Sequence, residues 1–393
     1  MIEIKGIEQH YDWGGEFYIP LLTGQEHASG EPMAELWLGD HPNGVATLTN
    51  GIPLTDWMAA DYQGRLGDSC IKHYGKRLPF LLKVLDVKAP LSIQVHPTKK
   101  QAEKGYDLEQ GLSIEPSKRN YKDANHKPEL MLALSDFWLL HGFKSEKEIT
   151  ALLSKEESLE SLLSPFTEGG TKQLVSYIFA LSASELAPLI MPIVNRYLDA
   201  YQENRLSKNN AYFWMMRAYM RAASANAQLE AGLLMVLLLN LCYVAKGGVI
   251  FQDAGIPHAY LEGQNIELMA NSDNVLRAGL TSKHVDPKEL LSIVNFDPVK
   301  AESISPIAKD GGLEYPVPVN DFCLTEYRLQ AGESLSLPEN PGPCIWFVLS
   351  GEMTVNGQDK YWRNGSAFYQ EPGNTSTIYA QTELVIYRSS AKL

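Results

Sequence analysis

Leu91-Ser92-Ile93-Gln94-Val95-His96-Pro97 alternates polar and apolar residues with a period of two. As a strand it places Ser92, Gln94 and His96 on one face and Ile93 and Val95 on the other. Two distant segments have the same character. Lys127-Pro128-Glu129-Leu130-Met131 puts Lys127 and Glu129 together, and Pro257-His258-Ala259-Tyr260 adds a second imidazole. Barrel interiors collect side chains from strands distant in sequence, so three donor-bearing strands point to one barrel and one metal site. The donor set is two imidazoles, one carboxylate, one amide oxygen and no thiolate. It leaves a bound Zn²⁺ only partly neutralised and still a strong Lewis acid, which suits chemistry better than structural stapling. Taken singly, His96 reads as a half-exposed strand histidine, Glu129 as a paired carboxylate and His258 as a turn cap. The case is joint. His10, His27, His41, His73 and His141 keep such ordinary readings.

Outward from these segments the texture divides the chain. Up to about Phe143, short apolar runs such as Phe80 to Val87 are broken by Gly and Pro, with a polar loop from Thr98 to His126. Ser145-Glu146-Lys147-Glu148 is a capping box. Beyond it Leu152, Leu153, Leu159, Leu162 and Leu163 recur at helical spacing. Further helices are expected from about Ser184 to Tyr201, with a kink at Pro192, and from about Ala211 to Leu241. About a hundred residues of this kind are too many for a loop and read as a helical insertion. Strand texture returns at Gly247-Gly248-Val249-Ile250-Phe251. From about Glu314 the pattern is nearly all β: Ile345 to Leu349, Met353-Thr354-Val355 before the hairpin signal Asn356-Gly357, and Leu384 to Tyr387. Many short strands with Gly and Pro turns predict a sandwich or jelly-roll barrel. The last histidine is His284, so this C-terminal region is expected to bind no metal.

Bulk properties exclude several function classes. A formal net charge of −13 argues against nucleic acid or anionic membrane as a partner. The 393 residues, 45% hydrophobic, can bury large cores in two or three domains. Cys70, Cys242, Cys323 and Cys344 are scattered and read as buried free thiols. Met1-Ile2-Glu3-Ile4-Lys5 carries charges where a signal peptide needs an apolar core. The apolar run Ala231 to Ala245 is too short to span a bilayer and reads as a buried helix. A cytoplasmic monomer is expected.

Glu267 to Lys283 concentrates polar, charged and small residues soon after His258. Asn271-Ser272-Asp273-Asn274 reads as a hydrogen-bonded turn. A structural Arg277 would pair with Asp273 or Glu267. A functional one would stand near the metal and stabilise anionic oxygen, with Lys283 available to a phosphate.

These residues resemble type I phosphomannose isomerases, zinc enzymes of the cupin superfamily that interconvert mannose 6-phosphate and fructose 6-phosphate. Tyr11-Asp12-Trp13-Gly14-Gly15, Pro79 to Lys83, Leu91 to Pro97, Asn125 to Glu129, Gly255 to Tyr260 and Glu267 to Lys283 all look like that family. The resemblance implies a mainly β fold with an α insertion: two cupin-type jelly-roll barrels plus an inserted helical domain. The catalytic barrel would comprise 1–143 and 242–313, the helical insertion 144–241, and a metal-free C-terminal barrel 314–393. It implies one Zn²⁺ per chain on Gln94, His96, Glu129 and His258, and places the essential arginine at Arg277. Lys83, Ser92, Lys127, Lys283 and Asp273 are the implied substrate-binding residues. Gln94-Val95-His96 stands where cupins in general have His-x-His, which is itself characteristic of this branch. The implied chemistry moves a proton between C1 and C2 of the open-chain sugar through an enediolate. Asp273, Glu267, Lys127, His96 and a metal-bound water all stay open as the base. A metal-dependent isomerase of another sugar phosphate, or a non-catalytic sugar-binding bicupin, are the competing readings. Some relatives carry a nucleotidyltransferase activity; no glycine-rich nucleotide motif occurs here.

Overall fold

The computed structural model describes residues 1–25, 30–337, 339–357 and 360–393; His27 lies outside them. The strand His258–Ala270 organises the first β assembly. It pairs antiparallel with Phe137–Phe143, Gln94–Val95, Phe80–Val87 and Glu129–Ala133. Different stretches of one long strand thus serve different neighbours: His258 opposes Gln94, and Met269 opposes Glu129. Alternation sorts its side chains. Ala259 and Leu261 join the helical core, Ile266 and Leu268 join the core between the two β assemblies, and Tyr260 points into the barrel with Leu85, Met131 and Phe137.

A second, eight-stranded sheet is built on Cys323–Leu329, Leu384–Ser390, Cys344–Ser350 and Ala367–Gln370. A three-stranded sheet of Ser334–Ser336, Thr377–Ala380 and Met353–Val355 covers one face of it over a core containing Trp346, Val348, Phe368, Ile378 and Ile386. The other face presents Leu324, Ile345, Phe347 and Tyr387 to Phe80, Leu82, Leu132 and Ile266 of the first assembly. Each such aliphatic or aromatic side chain adds about 1.5–3 kcal/mol when fully buried. The fold is mainly β with a helical insertion. Asn356 at φ 51° and Gly357 at φ 67° form a left-handed turn as expected. The tight hairpin does not follow: Met353–Val355 pairs with the distant strand Thr377–Ala380, and among the described residues only an isolated bridge joins Met353 to Trp362.

Several expectations need correction. The stretch from Thr98 to His126 is not all loop: Lys99–Gln110 is a helix, started by a capping box between Thr98 and Gln101. The helix expected from Ala211 to Leu241 is two helices, Ala211–Ser224 and Gly232–Leu238, followed by the strand Leu239–Val244. The apolar run Ala231 to Ala245 therefore switches from helix to strand midway. Ala183–Gln202 continues through both Pro188 and Pro192, and the capping box at Ser145 forms as expected. Cys70, Cys323 and Cys344 are buried free thiols, whereas Cys242 is only partly covered. Ile2–Lys5 pairs with Ala367–Gln370, and Ile307–Lys309 with Gly312–Tyr315, so both short strands lie in the eight-stranded sheet. Among the described residues no single helix is long and apolar enough to cross a membrane; the pair Glu157–Ala180 and Ala183–Gln202 passes only jointly, across a 111° bend. Both members bury their apolar faces in the helical core.

Candidate metal centre and active-site cleft

His258 opens the long strand, His96 follows Gln94–Val95, and Glu129 opens the strand Glu129–Ala133. Their donor atoms lie within 4.8 Å of one another, and all three residues are buried. Nδ1–H of His96 donates to the Asn274 carbonyl at 2.7 Å. Nδ1–H of His258 donates to the Ile256 carbonyl at 2.9 Å. Each backbone contact fixes the tautomer that leaves Nε2 as a free lone pair. Those Nε2 atoms sit 3.4 and 3.3 Å from the two oxygens of Glu129. His96 Nε2 is buried with no hydrogen-bond partner, as expected of an atom shaped to hold a cation. Gln94 is the register partner of His258 on one side and of Arg277 on the other. The four-donor set fits a divalent ion of the zinc type.

Electrostatics agree with that fit. Burial holds the His96 imidazole down at about 4, with Lys127 reinforcing the effect. It is neutral at pH 7, as a ligand must be. Burial pushes Glu129 upward, but Lys127, 2.9 Å away, and the two imidazoles overcome it and hold the carboxylate well below its ordinary range. A second charged layer adjoins. Lys83 Nζ lies 2.9 Å from Glu267 and 3.5 Å from Glu35. Burial would discharge this lysine, yet the two carboxylates raise its pKa overall. Burial raises Glu267 despite Lys83, and the charge of Glu129 adds to the rise.

The expected turn Asn271 to Asn274 is densely bonded. Ser272 Oγ donates to Asp123 at 2.8 Å, and Asn274 Nδ2 donates to the carbonyls of Asp123 and Asn125 at 2.6 and 2.8 Å. That network aims the Asn274 carbonyl at His96. Asp273 leaves the turn toward His41 Nε2, 3.2 Å away, and toward the Asn43 amide. Burial works against its charge, but His41 lowers its pKa overall. His41 is 2% exposed and reads as ordinary in sequence; nothing local in the sequence marks its link to Asp273. His141 is a buried core histidine bonded to Gln252 at 2.6 Å.

Arg277 pairs with no carboxylate among the described residues, because Asp273 is held by His41 and Glu267 by Lys83. Burial lowers its pKa without a compensating partner. Two residues on, Gly279 (φ 116°) lies so close to Gly232 that a Cβ there would stand 2.3 Å from its Cα. Glycine lets the helical insertion touch the segment carrying the arginine.

Arg277, Gln94, Ser92, Lys83, Lys127, Asp273 and Lys283 all line one cleft of about 890 Å³. Glu129, His258, Tyr260 and Glu267 line a smaller cavity of about 70 Å³ that shares Gln94, Lys83 and Lys127 with the cleft. His96 is fully enclosed behind it. All ten residues expected at the site therefore fall on one connected region.

A barrel with an inward His–Glu–His cluster at the end of an acidic-and-basic cleft defines a cupin-type protein with a candidate metal centre. Residues 1–146 match the family model of the type I phosphomannose isomerase catalytic domain. Mannose-6-phosphate isomerase of Escherichia coli (strain K12) is 33% identical over 396 residues, covering 98% of this chain and 96% of the relative. The Salmonella typhimurium mannose-6-phosphate isomerase is 35% identical over 360 residues, covering 90% and 89%. A crystal structure of a phosphomannose isomerase mutant from Salmonella typhimurium superposes with TM-score 0.89 at 30% identity, covering both chains fully (100%). A mannose 6-phosphate isomerase structure bound with zinc and yttrium gives 0.87 at 30%, again over 100% of both. The chain belongs to the type I phosphomannose isomerase family.

Proposed function

We propose that this chain is an aldose–ketose isomerase that interconverts mannose 6-phosphate and fructose 6-phosphate, with one Zn²⁺ held by Gln94, His96, Glu129 and His258. The observation that carries the reading is the buried, tautomer-fixed His96–Glu129–His258 cluster beside a cleft whose arginine has no carboxylate partner among the described residues. When bound, Zn²⁺ supplies electrophilic stabilisation for negative charge on the sugar oxygens O1 and O2. Arg277 shares that charge from the strand next to Gln94. Lys283 and Ser92 line the same cleft and anchor the phosphate away from C1 and C2, so remote binding energy orients the reacting carbons.

Proton transfer between C1 and C2 needs a base on one face of the sugar. Asp273 is held low by His41, Lys127 serves Glu129, and both ring nitrogens of His96 are committed to Asn274 and the ion. Glu267 is the buried carboxylate whose pKa is raised and which lines the cavity beside Glu129 and His258. It is assigned as the base: it takes the proton from C2 of the aldose and returns it to C1 of the enediolate, while the proton on O2 passes to O1. Lys83 holds its carboxylate in place. In this proposal 1–143 and 242–313, apart from the short strands that join the eight-stranded sheet, carry the chemistry, 144–241 supplies one wall of the cleft, and 314–393 takes no metal. One chain holds every residue of the site, so a monomer suffices. The test is a chelate-and-restore assay on mannose 6-phosphate with metal analysis of the same sample. Activity that survives complete removal of metal would overturn the proposal.

A further inference from the structure

We infer that the open end of the C-terminal barrel binds a small oxyanion, a phosphate or carboxylate group, with Arg388 as its anchor. Arg388 lies on Leu384–Ser390, between Cys323–Leu329 and Cys344–Ser350. Its register partners are Thr325 on one neighbour and Trp346 on the other, so the three side chains stand side by side on one face. That face is the interior, where Tyr327, Trp346 and Ile386 pack under the three-stranded sheet. Arg388 is 6% exposed and forms no ion pair among the described residues. Its guanidinium carbon sits 5.8 Å from the Trp346 ring centroid. Its Nε is enclosed and unpartnered, as are the hydroxyls of Thr325 and Tyr327. The two terminal nitrogens have no hydrogen-bond partner among the described residues either.

A buried cation without a counter-charge is costly. The contact with Trp346 offsets only part of that cost. No carboxylate among the described residues pairs with it. Glu314 opposes Thr325, but Lys309 holds it at 2.7 Å. Glu326 points to the opposite face, where it takes Tyr315, Tyr387 and Arg328. The next layer is Cys323, Ser390, Cys344 and Gln370. Burial pushes the two thiols up to about 11 and about 12, so they stay neutral. Gln370 accepts from Trp346 Nε1 and donates to Asn374. The site therefore offers a planar guanidinium fork and two free hydroxyls and lacks only an acceptor. An oxyanion with two or three oxygens complements that set, and the fork suits two parallel N–H···O bonds. None of these residues lines the cleft at Arg277, so the inference stands apart from the proposed isomerase reaction.

The experiment titrates the full chain with inorganic phosphate in one arm and succinate in the other. It compares Arg277→Ala, which weakens anion binding in the cleft, with Arg277→Ala/Arg388→Met. The expected result is that Arg388→Met weakens binding of at least one anion tenfold or more. Thermal midpoints in anion-free buffer are the second reading: removing an uncompensated buried cation should hold or raise the midpoint, and should abolish its anion-dependent rise. Equal affinities in the two proteins, or an anion-dependent rise that Arg388→Met keeps in full, would overturn the inference. Should Arg388→Met fail to fold, Arg388→Lys keeps the charge and loses the fork. It should fold and bind more weakly, and unchanged binding in that variant overturns the inference equally.

Discussion

Arg277 is the antiparallel partner of Gln94, and Gln94 in turn opposes His258. One residue, Gln94, thus links the strand that opens the candidate metal centre to the strand of the arginine, which pairs with no carboxylate among the described residues. The sheet sets this spacing. Arg277→Ala should lower turnover roughly 10²- to 10³-fold while bound metal stays at the wild-type amount. Turnover near wild type would remove Arg277 from the chemistry.

Replacing Glu129 or His258 should have the opposite signature. Glu129 is bracketed by both Nε2 atoms and by Lys127. Glu129→Ala strips the only anionic donor and leaves Lys127 facing two imidazoles, so metal and activity should disappear together. Metal analysis of the purified variant checks this; a metal-replete, active protein would refute the ligand assignment.

His41 is expected to matter although it lies outside the ligand set. It holds Asp273 at the cleft wall and keeps that carboxylate charged. His41→Phe should cost roughly tenfold in kcat/KM, with metal content unchanged, and should move the acid limb of the pH–rate profile upward. A profile that superposes on wild type would show that Asp273 needs no such partner.

Acid should destabilise the metal-free protein in a defined window. Burial holds His141 at about 4, against an ordinary 6.5. Between those values the unfolded chain binds a proton that the folded chain refuses. Stability therefore falls as pH drops from about 6.5 to about 4 and is flat, for this group, above and below that range. The loss from His141 is on the order of 3 kcal/mol. Urea unfolding of chelated protein at pH 7 and pH 4.5 measures it. His141→Asn should show a visibly smaller difference between the two pH values, and an equal difference would contradict the assignment.

The candidate site was legible because its donors sit in short alternating segments, where a period of two fixes the facing side chains. Ser92, Gln94 and His96 needed no more than that. The link between His41 and Asp273 was not legible, because it is made by a long-range approach that leaves no local pattern. Lys99–Gln110 escaped notice for a different reason. It is almost wholly polar, with Gly105 inside it, and only the cap at Thr98 and Gln101 gives it away. Ala231 to Ala245 misled in the reverse direction: an unbroken apolar run has no period, so it cannot report the change from helix to strand at Leu239. The turn at Asn356-Gly357 was legible because its backbone demands left-handed residues, but the partner of Met353–Val355, the distant strand Thr377–Ala380, leaves no local signal.

The bonding of Ile2–Lys5 to Ala367–Gln370 ties the two extremes of the polypeptide into one ladder. During synthesis one edge of Ile2–Lys5 can pair early with Thr47–Leu48, but its other edge must wait until Ala367–Gln370 has been made. Closure over that sequence distance is slow, and the open edge meanwhile offers a template for wrong pairing. Trimming even a few residues from the start should thus be felt at the far end of the molecule.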